Sequence, residues 1–227
     1  MNDKLNYPVF YFKYFIPAKM RSVLKKSVIY FLKFFKMEIN LIYNDTFATQ
    51  NFRNKTWTED FCDFVLKTFK PESVIDFGCG TGDILAPFEK RNLNVLGIDG
   101  SFSNKKYSHI RKENFQIFDI REKYPNKNKY DLCICMEVAE HIDEKYSETL
   151  IHNITNSAPI LIFTAAGPGQ EGNDHCNLQP KSWWMEKLRK YDFEYDDNLT
   201  NDFILHMSNM NDVQSWYIEN LMIYRKF

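Results

Sequence analysis

From about residue 70 onward, short apolar runs alternate with polar stretches of helix-compatible composition. The runs predict strands at 73–77, 94–98, 115–118, 130–135 and 160–164, with helices at about 82–91, 140–156 and 180–191. Strands separated by helix-length segments imply βαβ units and hence a doubly wound, mostly parallel α/β sheet. Residues 216–225 read as a final strand. Ahead of the first strand, 57–69 has helical spacing: Phe61, Phe64, Val65 and Phe69 form one stripe, Thr58 is the expected N-cap, and Pro71 ends the helix.

The first 40 residues differ from the rest. They hold eight Lys or Arg and two acids, a net +6 in a chain whose total is −1. From Met20, apolar residues recur at Leu24, Val28, Phe31 and Phe35, while Lys19, Lys26 and Lys33 fall on another face. The pattern predicts a basic amphipathic helix. It either makes a peripheral membrane contact through residues 10–36 or packs on the domain that follows. The chain therefore divides into an N-terminal helical segment, 1–42, and a single α/β domain, 43–227.

Composition removes several classes. A net charge of −1 carries no strong nucleic-acid signal. The five cysteines, odd in number and without a Cys-x-x-Cys pair, argue against a disulfide framework or a zinc ribbon. Free thiols fit a reducing setting, so the expected location is cytoplasmic. No run of about eighteen apolar residues predicts a membrane-spanning helix, and no secretory leader is evident.

Candidate chemistry concentrates at strand ends, where doubly wound sheets bind ligands. After the first strand comes Val74-Ile-Asp-Phe-Gly-Cys-Gly-Thr-Gly-Asp83, whose glycines allow positive φ and close backbone approach. The second strand ends in Asp99, followed by Gly100. That carboxylate can accept from two vicinal ribose hydroxyls, or cap the next helix. The third ends in Asp119-Ile120. The glycine string resembles motif I of class I S-adenosylmethionine (SAM)-dependent methyltransferases rather than the dinucleotide fingerprint Gly-x-Gly-x-x-Gly. The resemblance implies a Rossmann-like methyltransferase fold. It also implies a SAM site built from Asp76, Gly78, Cys79, Gly80, Gly82, Asp99, Gly100, Asp119, Ile120 and Glu137, with Asp119 at the adenine amino group and Ile120 on its ring.

The fourth strand leads into Glu137-Val-Ala-Glu140-His141. If these residues begin a helix, Glu137, Glu140 and His141 share one face and could hold a divalent cation. The string resembles an element of two metal-dependent O-methyltransferase families, one acting on ubiquinone precursors and one on the 3′ end of small RNAs. In the RNA family a later histidine completes the metal site, and here His175 is the candidate, with magnesium as the expected ion. His175 lies in the glycine-rich loop 165–179. It is the one residue of that loop suited to taking a proton near neutral pH, so it is the expected catalytic base.

The run Gly-Pro-Gly-Gln-x-Gly-x-x-His-x-Asn-x-Gln-Pro-x-x-Trp-Trp from residue 167, with Trp216–Arg225, is similar to a bacterial and viral methyltransferase subgroup associated with surface, including capsular, polysaccharides. That likeness implies a small-molecule acceptor: the hydroxyl of a sugar or nucleotide-linked sugar. Trp183, Trp184 and Trp216 either stack on the acceptor or belong to the core. A quinone-precursor or RNA 2′-O-methyltransferase, and a non-catalytic SAM-binding scaffold, are the competing readings. The Asn/Asp-Pro-Pro-Tyr/Phe element of amino-methylating nucleic-acid enzymes is not found after the fourth strand.

Overall fold

The computed structural model describes residues 39–50, 56–125, 129–172 and 174–227. The basic amphipathic helix expected before residue 39, and with it the membrane contact through 10–36, lies outside the described residues. Among the described residues no helix is long and apolar enough to cross a membrane.

Seven strands form one sheet in the order β3-β2-β1-β4-β5-β7-β6. Strands β1 (Ser73–Phe77), β2 (Asn94–Asp99), β3 (Phe115–Ile117), β4 (Leu132–Met136) and β5 (Ile160–Thr164) run parallel. Strand β7 (Met222–Lys226) is antiparallel to β5, with Leu161 opposite Tyr224, and β6 (Phe193–Tyr195) pairs on its far side. The order reverses between β1 and β4, so the carboxyl ends of these two strands flank a crevice.

Alternation along the strands feeds two cores. Val74, Leu132, Ile134 and Ile162 pack under α3 (Trp57–Phe69) and α8 (Asp197–Ser208), through Phe61, Val65 and Phe203. Ile75, Phe77, Cys133, Cys135 and Phe163 face the other way. They meet Leu150 and Ile154 of α6 (Ser147–Thr155) and Trp184 and Leu188 of α7 (Lys181–Arg189). The doubly wound α/β expectation holds in full.

Several local expectations are corrected. Thr56, not Thr58, occupies the N-cap of α3 and makes no side-chain cap bond; Thr58 is buried within the first turn. The helix ends through Lys70 in the left-handed conformation, directly ahead of Pro71. The helix expected at 82–91 contracts to α4 (Ala86–Lys90), because the preceding turn keeps Gly82 at φ +82°. The helix expected at 140–156 becomes two 3-10 turns, Ala139–His141 and Glu144–Tyr146, followed by α6. Residues 216–225 divide into α9 (Ser215–Glu219) and β7, since a strand beside β5 has partners only from Met222 onward. Helix α8, whose buried Leu199, Phe203 and Met207 recur at helical spacing, and the three-residue strand β6 lie beyond the expected elements. Ahead of these lie two short helices, α1 (Ile39–Ile42) and α2 (Asp45–Gln50), and after β2 comes α5 (Phe102–Lys106).

Phe163, the last residue but one of β5, is fully buried, with its ring 5.2 Å from that of Trp184. Phe163→Ala is expected to lower the unfolding free energy by about 3–5 kcal/mol in urea denaturation, as buried aromatic truncations do.

Candidate functional site

A cavity of about 1530 Å³ opens across the carboxyl ends of the central strands. Its floor is the turn after β1. There Gly78 (φ +78°) and Cys79 both donate their N–H groups to the Ile98 carbonyl, at 2.7 and 3.1 Å. A Cβ on Gly78 would lie 2.4 Å from Val138 Cγ2, so both the left-handed backbone and the neighbouring turn demand glycine. Gly80 and Gly82 complete the turn. Cys79 turns its thiol back toward β2, where a Cβ on Gly97 would stand 2.7 Å from Sγ. Burial raises that thiol's pKa and so favours its neutral form.

Asp76 is buried and lines the same floor. Asp99 binds the ends of β1 and β2 together: Oδ2 accepts from Gly80 N–H at 3.0 Å, and Oδ1 from Ser101 N–H at 2.8 Å and Asn104 Nδ2 at 3.1 Å. Burial pushes its pKa up to about 6. Ser101, not Asp99, is the N-cap of α5, its Oγ accepting from Asn104 N–H at 3.2 Å, and Asp99 stays on the cavity wall beside Gly100. Asp119 lines the wall too, with Arg121 Nε at 2.9 Å from Oδ1 and Nη2 at 2.9 Å from Oδ2, and Ile120 is buried next to it.

At the end of β4 the structure departs from the expected helix face. Glu137 has φ +56°, an outlier for a non-glycine residue. Its N–H donates to Thr164 Oγ1 at 2.8 Å, and Asn220 Nδ2 donates to its Oε1 at 3.2 Å. The residues after it form a 3-10 turn, so the shared face of Glu137, Glu140 and His141 is not realised. Instead one ligand atom each of Glu140, His141 and His175 lie within 4.8 Å of one another, and Glu137 stands outside that group.

Glu140 is fully buried, and neither carboxyl oxygen has a partner in full hydrogen-bond geometry, the nearest being the Glu137 carboxyl and Ala166 N–H. Burial, and then the charge of Glu137, push its pKa upward. His175 comes from the distant loop 165–179. Its Nδ1 lies 2.8 Å from the Gln170 carbonyl, which can only accept, so Nδ1 carries the hydrogen and neutral His175 presents a bare Nε2. Its ring is edge-on to His141 at 4.8 Å. The loop is hooked in place at its far end: Cys176 and Asn177 N–H both donate to the Glu140 carbonyl, and buried Asn177 donates through Nδ2 to Ser147 Oγ at 3.0 Å.

Other wall residues lie beyond the sequence reading. Tyr43 stands edge-on to His141 with ring centroids 6.2 Å apart. Tyr217 and Asn220 come from the segment expected to be strand; buried Thr164, at the end of β5, stands behind the wall and holds Glu137. Burial, and then Glu137, raise the Tyr217 pKa. Trp216 is half exposed at the lip, whereas Trp184 is core and Trp183 packs against it under Lys187. No motif marks Tyr43 or Asn220, because their roles come from contacts spanning about a hundred residues.

A family model described as a methyltransferase domain matches residues 49–190. Among curated proteins, a ubiquinone biosynthesis O-methyltransferase of Rickettsia typhi is 32% identical over 98 residues, 40% of this chain and 40% of that protein. A protein of the same name from Rhodopseudomonas palustris is 32% identical over 76 residues, 31% of this chain and 30% of that one. The chain thus matches well under half the length of these relatives.

Solved structures share the fold at low identity. Magnesium protoporphyrin IX methyltransferase from Synechocystis PCC 6803, with bound SAH (S-adenosylhomocysteine), superposes with TM-score 0.56 and 16% identity, covering 77% of this chain and 84% of that one. The sugar N-methyltransferase KedS8 from Streptoalloteichus superposes with TM-score 0.56 and 13% identity, covering 78% and 89%. The seven-stranded sheet order, the glycine turn after β1 and a family match over residues 49–190 agree: the chain belongs to the methyltransferase-domain family.

Proposed function

We propose that the chain transfers a methyl group from SAM to a hydroxyl on an aromatic ring, in a small molecule of the quinone-precursor kind. The observation that carries this reading is the Glu140–His141–His175 group, which lines the same cavity as the glycine turn. The rings of Tyr43, Phe47 and Trp216 line that cavity as well and suit a flat acceptor. The names of the curated relatives favour it over the sugar acceptor expected above. The structural likeness to a sugar N-methyltransferase, at 13% identity, speaks to fold alone.

When bound, SAM supplies a methyl group activated by its sulfonium. Asp76, Gly78, Gly80 and Gly82 would hold its amino-acid end, Asp99 and Gly100 its ribose, and Asp119 and Ile120 its adenine. Glu137, fixed by Thr164 and Asn220, adds a carboxylate near the cationic end. His175 Nε2 takes the acceptor hydroxyl's proton, and the Gln170 carbonyl keeps the ring turned for it.

The donor chemistry also fits a divalent cation: a carboxyl group whose two oxygens lack full hydrogen bonds, beside two imidazoles within 4.8 Å. Glu140, His141 and His175 would hold it, and it would acidify a bound hydroxyl. Two nitrogen donors suit iron or zinc better than the magnesium expected from sequence, with manganese the magnesium-like ion to compare. His175 Nε2 cannot hold a proton and a metal at once, so chelation separates the two roles.

The test is calorimetric titration with SAH, then methyl transfer to prenylated catechols, nucleotide sugars and 3′-terminal RNA, each with manganese, magnesium or chelator. Transfer to catechols alone supports the proposal; transfer to nucleotide sugars alone restores the sugar reading. SAH binding without transfer to any acceptor would favour the scaffold. His175→Ala is expected to leave SAH affinity within about twofold and to lower turnover by about a hundredfold or more. Unchanged turnover would remove His175 from the mechanism.

The raised pKa of Asp99 gives a second expectation. Three protein donors already occupy its carboxylate, so its ionised form keeps about one acceptor position for a ribose hydroxyl, and that affinity is present above about pH 6 and is lost as pH falls through it. SAH should bind about tenfold more weakly at pH 5 than at pH 7.5, following the ionised fraction. Asp99→Asn should bind weakly at both values and lose the pH dependence.

A further inference from the structure

The turn after β3 is fixed by two polar side chains. Buried Asn153 of α6 spends its whole amide on it. Nδ2 donates to the Ile120 carbonyl at 3.1 Å and the Glu122 carbonyl at 2.8 Å, and Oδ1 accepts from Tyr124 N–H at 2.9 Å. Within the turn, Arg121 folds back on Asp119. Its backbone N–H donates to Oδ1 at 3.0 Å, Nε to Oδ1 at 2.9 Å and Oδ2 at 3.1 Å, and Nη2 to Oδ2 at 2.9 Å. Both residues line the cavity. The Arg121 side chain is 9% exposed and that of Asp119 24%, so the guanidinium is covered while the carboxylate keeps an open side.

This pairing does more than neutralise a charge. A carboxylate has about four lone-pair positions. The backbone N–H and Nε of Arg121 take those of Oδ1, and Nη2 takes one on Oδ2, so about one position on Oδ2 is left. The planar fork also stops the carboxylate from rotating, which a lysine ammonium would not do. Arg121 is itself seated over the Tyr146 ring, 5.9 Å from its centroid. A single acceptor held at a fixed angle suits an N–H donor and repels a carbonyl oxygen. Adenine carries an amino group at its 6-position, and hypoxanthine carries an oxygen there.

We propose that Arg121 is a positioning residue that aims the remaining Asp119 acceptor at the 6-amino group of the cofactor's base, and so sets the preference for adenine over hypoxanthine. This rests on the cofactor reading above, in which Asp119 meets the base. Arg121 acts through Asp119 alone. Its loss therefore weakens the ligand that donates to Asp119 and spares the one that does not. Damage to the turn as a whole would weaken both alike, because Ile120 packs on either base.

The experiment is calorimetric titration of the full chain with SAH and with its deaminated analogue S-inosylhomocysteine. The unaltered chain should prefer SAH by about a hundredfold. Arg121→Lys keeps the charge without the fork. It should weaken SAH by about tenfold and leave S-inosylhomocysteine within about twofold, so that the preference narrows. Full SAH affinity in Arg121→Lys, or equal losses for both ligands with the preference kept, would overturn the positioning role. Should Arg121→Lys not fold, NMR of the Arg121 Nε–H in the unaltered chain decides. A resolved signal that persists when SAH is added supports the fork, and its disappearance on binding overturns it. SAH binding with no preference over S-inosylhomocysteine would overturn the proposal and leave the cofactor reading standing. Failure of SAH to bind would overturn both.

Discussion

The site depends on how closely the turn after β1 approaches the turn after β4. Gly78 and Val138 leave no room for a Cβ between them, so the first turn must be glycine in a left-handed conformation. The second turn must also leave extended geometry at once, and it does so at Glu137, with φ +56°. A side chain other than glycine or asparagine pays for such a backbone, and the bond from its N–H to Thr164 Oγ1 on the adjoining strand offsets part of that cost. These two turns fix the cavity floor, the direction of the Glu137 carboxylate and the start of the Glu140–His141 turn together.

The rest of the site follows from burying a carboxyl group. Glu140 is taken out of water without a full hydrogen bond to either oxygen, and Glu137 lies near enough to raise its pKa further. An arrangement of this sort costs stability, and it is typical of places where chemistry is done. The backbone around Glu140 is nevertheless well held. Its carbonyl accepts two N–H groups from the 165–179 loop, and Asn177 anchors that loop on Ser147. The hook is polar and buried, which fixes where His175 comes to rest more sharply than apolar packing would.

On the opposite wall Asp99 joins the glycine turn to Ser101, and Ser101 in turn holds the Tyr43 carbonyl, so a buried hydroxyl links the cofactor-loop side of the cavity to residues 39–50.

Much of the frame was legible from the chain alone. Continuous apolar runs separated by helix-length segments imply the doubly wound sheet, since its central strands are buried on both faces. Asp76, Asp99, Asp119 and the glycines stood at strand ends because such positions follow directly from where strands stop. What failed were inferences about continuity. The helix face shared by Glu137, Glu140 and His141 assumed one helix, where the chain takes a left-handed residue at Glu137 and then a 3-10 turn. The strand expected at 216–225 assumed that periodicity alone sets its length, whereas pairing with β5 starts only at Met222 and frees Trp216–Asn220 to form the cavity wall. Local pattern determines which elements the chain contains, because side-chain periodicity is a property of neighbours in sequence. Only tertiary structure decided that His175 meets Glu140 and His141, that Asn220 holds Glu137 and that Tyr43 covers His141, because those contacts join residues about 35 to 100 positions apart.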